Sequence, residues 1–238
     1  MGMIPFGSGG AHAFCSNRER EPVAAKFLAK GYQVFILDYM TSTQGAHYPE
    51  QFLEAGCAVD FIKEHASDDH VNREEIFVIG FSAGGHLAAN LACCYGDLSS
   101  FGLEIDASFT ALGLGYPVIN HHLGYDETHR NLLGEDFKEK ADDLDLDSLV
   151  KEGHVPTYIM ATSNDNYVPS QNALAYAKAL SDHHVFYFLH MYPNGEHGFG
   201  TADFEDAPYP SYTKNRYNAS SWIDECADFF RSFCNEPF

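Results

Sequence analysis

The chain has 238 residues, room for one α/β domain or two small ones, and its hydrophobic share of 45% supports a sizeable buried core. Lysine and arginine number 14 against 34 aspartates and glutamates, giving a formal net charge of −20. That balance argues against nucleic acid and anionic membrane surfaces as partners, since both demand basic patches; it fits solubility and a neutral or cationic substrate.

The first ten residues carry no basic n-region and only a short apolar piece at 3–6, so they do not read as a signal peptide. No apolar run approaches the ~20 residues of a membrane span. Six cysteines (15, 57, 93, 94, 226 and 234) show no C-x-x-C spacing. They are expected as free thiols in a reducing, cytoplasmic compartment.

In chain order, apolar β-rich runs at 3–6, 33–38, 76–80, 108–114, 157–162 and 186–191 are the predicted strands. They are continuous rather than alternating, as expected for strands buried on both faces. Helical patterns fall between them at 19–30, stopped by Gly31, and at 49–65, opened by Pro49. Others follow at 83–95, 170–180 and 221–233. Trp222, Cys226, Phe229, Phe230 and Phe233 recur at helical spacing on the last, a stripe that reads as core packing. Repeated strand–helix alternation predicts an α/β fold, a mainly parallel sheet of about six strands with helices on both faces. One domain over 1–238 is expected, interrupted by a lid-like insertion at 116–156. The insertion carries His121-His122, Tyr125 and the acidic run Asp142-Asp143-Leu144-Asp145-Leu146-Asp147. That run reads as a solvated face with an N-cap.

The most informative local pattern is Gly80-Phe81-Ser82-Ala83-Gly84-Gly85-His86, placed after a predicted strand and at the start of a helix. Strand, sharp turn and helix with a serine at the apex form an elbow that lifts the hydroxyl above the sheet. A serine hydroxyl is a weak nucleophile and needs a base, and the base needs an orienting acid. Asp165 follows the strand at 157–162, and His197 lies in a glycine-flanked loop after the strand at 186–191. Order, strand context and spacing together select Ser82, Asp165 and His197 as nucleophile, acid and base; Glu196 and Asp203 are rival acids. Oxyanion donors are expected from the backbone N–H of Ala83 and from Gly10 or Ala11 in the loop Phe6-Gly7-Ser8-Gly9-Gly10-Ala11-His12.

These residues resemble the acetyl esterase and acetylxylan-esterase-like group of α/β-hydrolases, with its feruloyl-esterase-like and hormone-sensitive-lipase-like relatives. The resemblance runs through Gly9-Gly10-Ala11, Ser16-Asn17-Arg18-Glu19, the run at 31–39, the elbow, Tyr116-Pro117-Val118-Ile119, Asp165-Asn166-Tyr167-Val168-Pro169 and Gly195-Glu196-His197-Gly198. It implies an α/β-hydrolase fold and serine hydrolysis of short acyl esters, often acetyl groups on sugars, without a cofactor. Two departures stand out. Ser8 and Ala11 replace the outer positions of the usual His-Gly-Gly-Gly or Pro-Gly-Gly-Gly loop. Relatives also carry further strands before that loop, so the sheet is expected to lack its two leading strands. The run at 33–38 then becomes an apolar edge, covered by a homodimer or left by shortening of the chain.

The reading is therefore a serine esterase acting on small-molecule esters such as acetylated sugars, with His12, Tyr116, His121 and Tyr125 as substrate-contact candidates. An amide, peptide or arylformamidase-like acyl hydrolase is the alternative, and a non-catalytic hydrolase-fold binding protein a more distant one. No metal is expected, because His121-His122 and His183-His184 are adjacent pairs without ligand spacing.

Overall fold

A computed structural model describes residues 2–6, 9–203 and 219–235. Gly7 and Ser8, at the start of the glycine loop, lie outside the described residues. Among the described residues, six strands form one parallel sheet: β1 (Gly2–Phe6), β2 (Gln33–Val34), β3 (Ile76–Phe81), β4 (Ala111–Gly115), β5 (Thr157–Thr162) and β6 (Tyr187–Tyr192). Their spatial order is β2-β1-β3-β4-β5-β6. The helices are α1 (Glu21–Leu28), α2 (Glu50–Glu64), α3 (Ser82–Cys94), α4 (Glu127–Leu133), α5 (Phe137–Lys140), α6 (Gln171–Asp182) and α7 (Trp222–Arg231).

The continuous apolar strands divide by parity between two cores. Phe77, Ile79 and Phe81 of β3 pack in one core with Tyr158 and Met160 of β5 and with Trp222, Cys226 and Phe230 of α7. Ile76 and Val78 face the other way, into a core shared with Leu112 and Leu114 of β4, Phe52 and Val59 of α2, and Leu87 and Leu91 of α3. Successive strand side chains point to opposite faces, so helices on both faces require both parities to be apolar. The α7 stripe is core, as its spacing predicts.

Strand boundaries depart from the sequence reading by more than one residue in two places. The run at 33–38 pairs with β1 only at Gln33 and Val34. Beyond them Phe35 and Leu37 are half-buried against the core on the α2–α3 face. The run is apolar for that packing rather than for a long ladder. β2 is the edge of the described sheet, as expected. β4 begins at Ala111 rather than at residue 108, because Ser108 is engaged by Asp106 and Lys63 before the strand starts.

The insertion at 116–156 is built from α4, α5 and short 3₁₀ turns, with Leu132, Leu133, Ala141 and Leu144 forming a small cluster of their own. Among the described residues, no helix is long and apolar enough to cross a membrane.

Candidate active site

β3 ends at Phe81, and α3 begins at Ser82 with no intervening loop. Ser82 sits at φ +52°, a left-handed conformation that a non-glycine residue adopts at a cost of roughly 1–3 kcal/mol. The turn is tight enough that a Cβ at Gly80 would lie 2.2 Å from the carbonyl oxygen of Gly84. Glycine is therefore obligatory there. The Ser82 carbonyl accepts the N–H of Val118 at 3.1 Å, which ties the elbow to the chain leaving β4.

The Ser82 hydroxyl lies 2.8 Å from Nε2 of His197, and Nδ1 of His197 lies 2.7 Å from Oδ2 of Asp165. These contacts fix the tautomer: Nδ1–H donates to Asp165, and Nε2 accepts from the serine. The Asp165 side chain is 1% exposed and that of His197 15%. Asp165 also accepts the N–H groups of Tyr167 and Val168 through Oδ1, both at 2.9 Å. Its two oxygens thus have separate tasks, one holding its own loop and the other the imidazole.

The two loops meet because β5 and β6 pair in register as far as Thr162 and Tyr192. The hydroxyl of Thr162 donates to the carbonyl of Gly195 at 2.7 Å, and Asn164 accepts the Gly195 N–H at 2.9 Å. The rival acids are elsewhere occupied or unsuited. Asp203 pairs with Lys26 at 2.8 Å, and Glu196 lines the cleft without a hydrogen bond to His197.

The loop after β1 arrives beside the nucleophile. A Cβ on Gly9 would lie 2.5 Å from the Cβ of Ser82, so only glycine fits. The Gly9 N–H is taken by Oε2 of Glu19. The N–H groups of Gly10 and Ala11 make no hydrogen bond among the described residues. That of Ala83 lies in the first turn of α3, where no helical carbonyl precedes it. Gly10 (φ +147°), Ala11 (φ +51°) and His12 (φ +58°) turn the loop sharply back.

Glu19 was not among the sequence candidates. It is 2% exposed, and its Oε1 accepts the hydroxyl of Tyr116 at 2.8 Å. Burial pushes its carboxyl above the ordinary value, against the opposing pull of the Tyr116 hydroxyl, His197, the Gly9 N–H and Arg18. The signal available was an acid ten residues after Gly9, within the quoted Ser16-Asn17-Arg18-Glu19.

A cleft of about 580 Å³ opens over Ser82 and His197, floored by the Gly9–Ala11 turn and flanked by Phe14, Tyr125 and Tyr167. Of the four substrate-contact candidates, only Tyr125 lines it. Tyr116 is instead buried behind the imidazole, its ring 5.0 Å from that of His197, and its hydroxyl accepts the Gly200 N–H at 3.1 Å. His12 is fully buried, edge-on to Tyr39 and His86, because its positive φ turns the ring inward. His121 lies away from the cleft, against Asp145 at 2.9 Å. The acidic run is only partly solvated: Asp142 and Asp143 are exposed, but Asp145 is buried.

An all-parallel sheet with helices on both faces and a hydrogen-bonded serine on a strand–helix elbow at its carboxyl rim define an α/β-hydrolase, and the chain belongs to that superfamily. Residues 6–113 match the BD-FAE family. The chain is 30% identical over 204 residues to endo-1,4-beta-xylanase B of Butyrivibrio fibrisolvens, covering 83% of this chain and 32% of that protein. It is 27% identical over 201 residues to an acetylxylan esterase of Xylanibacter ruminicola, covering 81% of this chain and 40% of that one. It thus spans about a third of the length of the first of these curated relatives and two fifths of the second. Among solved structures, a carboxylesterase from Lactobacillus plantarum superposes with a TM-score of 0.87 at 26% identity, covering 97% of this chain and 85% of that one.

Proposed function

We propose that the protein is a serine esterase that hydrolyses short-chain acyl esters, acetyl foremost, carried on carbohydrate. The observation that carries this reading is the unbroken chain from the Ser82 hydroxyl through His197 to Asp165, at 2.8 and 2.7 Å. In the proposed mechanism, Nε2 of His197 takes the Ser82 proton as Oγ attacks the ester carbonyl. Negative charge develops on the carbonyl oxygen and is met by the N–H of Ala83 with those of Gly10 and Ala11. Collapse expels the alcohol, which leaves with the proton from His197, and an acyl group remains on Ser82. Water then attacks the acyl-enzyme with His197 again as base. Asp165 holds the imidazole in the required tautomer and stabilises its charged form. No step calls for a cofactor.

The substrate class draws on three supports. The acetylxylan esterase relative acts on an acetylated sugar polymer by its name. The cleft presents aromatic faces, Tyr125 and Tyr167, whose ring centres stand 6.5 and 6.2 Å from that of His197. Apolar faces beside scattered polar groups suit the stacking of a sugar ring. Its lining also contains Glu19, Glu127 and Glu196 against Arg18, which disfavours an anionic substrate.

A panel of p-nitrophenyl esters from acetate to octanoate, together with acetylated xylo-oligosaccharides, tests the proposal on wild type and Ser82→Ala. Turnover should be highest for acetate, present on the sugar ester and abolished by the substitution. Wild-type turnover no faster than that of Ser82→Ala would defeat the esterase reading. A preference for long chains would defeat the acetyl assignment alone.

A further inference from the structure

We propose that His121, His122, Asp142 and Asp145 form a binding site for a divalent transition-metal ion, zinc by preference, that clamps the two ends of the insertion together. One donor atom from each of the four lies within 4.8 Å of the others. Two imidazoles and two carboxylates are a nitrogen–oxygen set suited to zinc. Magnesium and calcium prefer oxygen alone.

Three of the six ligand–ligand spacings lie near those of a tetrahedron. Ligands at the usual zinc distances of 2.0–2.1 Å stand about 3.3–3.4 Å apart along each edge. Nε2 of His121 is 3.3 Å from Oδ1 of Asp142, and Nε2 of His122 is 3.1 Å from the same oxygen. Nε2 of His122 is 3.9 Å from Oδ2 of Asp145. These four atoms are the assigned ligands.

The support around them is what a metal site needs. Oδ1 of Asp145 accepts both the backbone N–H and the Nδ1–H of His121, at 2.8 and 2.9 Å. That pair orients the His121 ring with Nε2 outward and uses only one carboxylate oxygen. Asn120 caps the same turn by accepting the His122 N–H at 2.9 Å, and its amide donates to Asp147 at 2.9 Å.

The charge balance of the cluster also favours a cation. The Asp145 side chain is 8% exposed; its Oδ1 takes the two His121 hydrogen bonds, and its Oδ2 faces Nε2 of His122 at 3.9 Å. Among the described residues, no lysine or arginine pairs with either carboxylate. A buried carboxylate normally has a cation or a full set of donors. The nearest further group is His129, whose Nε2 stands 3.8 Å from Oδ1 and is also 3.2 Å from the Leu144 carbonyl oxygen. A divalent ion facing two carboxylates would leave the site neutral.

The segment bounded by the ligand pairs at 121–122 and 142–145 carries Tyr125 and Glu127 to the cleft. The ion would close that segment into a loop, so the role is structural and does not depend on the esterase reading.

The experiment is calorimetric titration of the chelator-stripped full chain with Zn²⁺, with Co²⁺ as an optical reporter. One equivalent should bind at neutral pH, raise the melting temperature, and give the visible spectrum of four-coordinate cobalt without a thiolate charge-transfer band. His122→Ala and Asp142→Asn, both at exposed side chains, should each weaken binding at least tenfold and remove the thermal shift. Substituting the other adjacent pair, His183→Ala with His184→Ala, should leave binding unchanged. Three results would overturn the site: no saturable equivalent, binding that survives both ligand substitutions, or a thiolate band tracing the metal to one of the six cysteines.

Discussion

The carboxylate of Glu19 accepts the backbone N–H of Gly9 directly beside the nucleophile, with the Gly9 backbone close enough to Ser82 to exclude any Cβ. One amide of the glycine loop is therefore committed inside the protein. Those of its neighbours Gly10 and Ala11 make no hydrogen bond among the described residues.

Glu19 should act as a positioning residue. Glu19→Ala frees the loop, and a displacement on the order of 1 Å near the reacting atoms can lower the rate about 100-fold. The loss is expected in kcat, with KM little changed. Glu19→Gln keeps an acceptor for Gly9 and should retain most of the activity. Equal losses in both variants, or a change confined to KM, would contradict this role.

The same carboxyl gives a pH signature in stability. Its value is raised by burial, so its favourable contribution is complete below about 4.5 and is lost as pH rises through the folded value. Across that window wild type should lose stability relative to Glu19→Gln. Urea unfolding of both proteins at several pH values between 4 and 8 measures the difference, and a constant difference would refute it.

Three buried histidines should make the protein acid-sensitive in the opposite direction. Burial lowers His12 to about 3, holds His86 well below the ordinary value, and lowers His129. Among the described residues, neither ring nitrogen of His12 has a hydrogen-bond partner. The unfolded chain takes up these protons below pH ~6.5, so stability is present above that pH and is lost as pH falls. Each imidazole can contribute a slope of up to about 1.4 kcal/mol per pH unit. His12→Asn, which tolerates the positive φ, should remove one proton from the measured slope between pH 6.5 and 5.

Gly9→Ala should separate folding from activity. The new Cβ would meet Ser82 Cβ at 2.5 Å and must push the loop away. Losing the alignment of even one oxyanion donor costs about 3–4 kcal/mol, on the order of 10²–10³ in kcat. The far-ultraviolet circular dichroism spectrum should be unchanged. Near-normal turnover would mean that the loop holds no donor.

Asp165→Asn should lower kcat on the order of 10⁴-fold while leaving the fold intact, because an amide presents a donor where the imidazole needs an acceptor. The N–H groups of Tyr167 and Val168 can still bond to the Asn oxygen. Steady-state kinetics on p-nitrophenyl acetate reads this directly, and a loss under tenfold would argue against the assigned role.

The sequence read most clearly where burial was two-sided. β5 coincides with its predicted range because every residue from Thr157 to Thr162 is buried. The run at 33–38 misled because apolar residues there pack against the core without a partner strand. Ser82, Asp165 and His197 were legible from order along the chain, since each follows a strand whose carboxyl end must face the same rim. Direction was not legible. His12 and Tyr116 lie next to active-site segments in sequence, but a positive φ and a hydroxyl bound to Glu19 aim them inward. Glu19 escaped notice because an acid at a helix start reads as ordinary dipole compensation. The His121–Asp145 cluster joins residues some twenty positions apart with no motif spacing.

The division of β3 by parity has a further consequence for how this chain can change. Deleting one residue within that strand would exchange the bulkier set Phe77, Ile79 and Phe81 with the set Ile76 and Val78, presenting each core with side chains of the wrong volume. The strand is thus locked in phase from both sides at once. A change of length is therefore better tolerated in the connections between elements than inside β3.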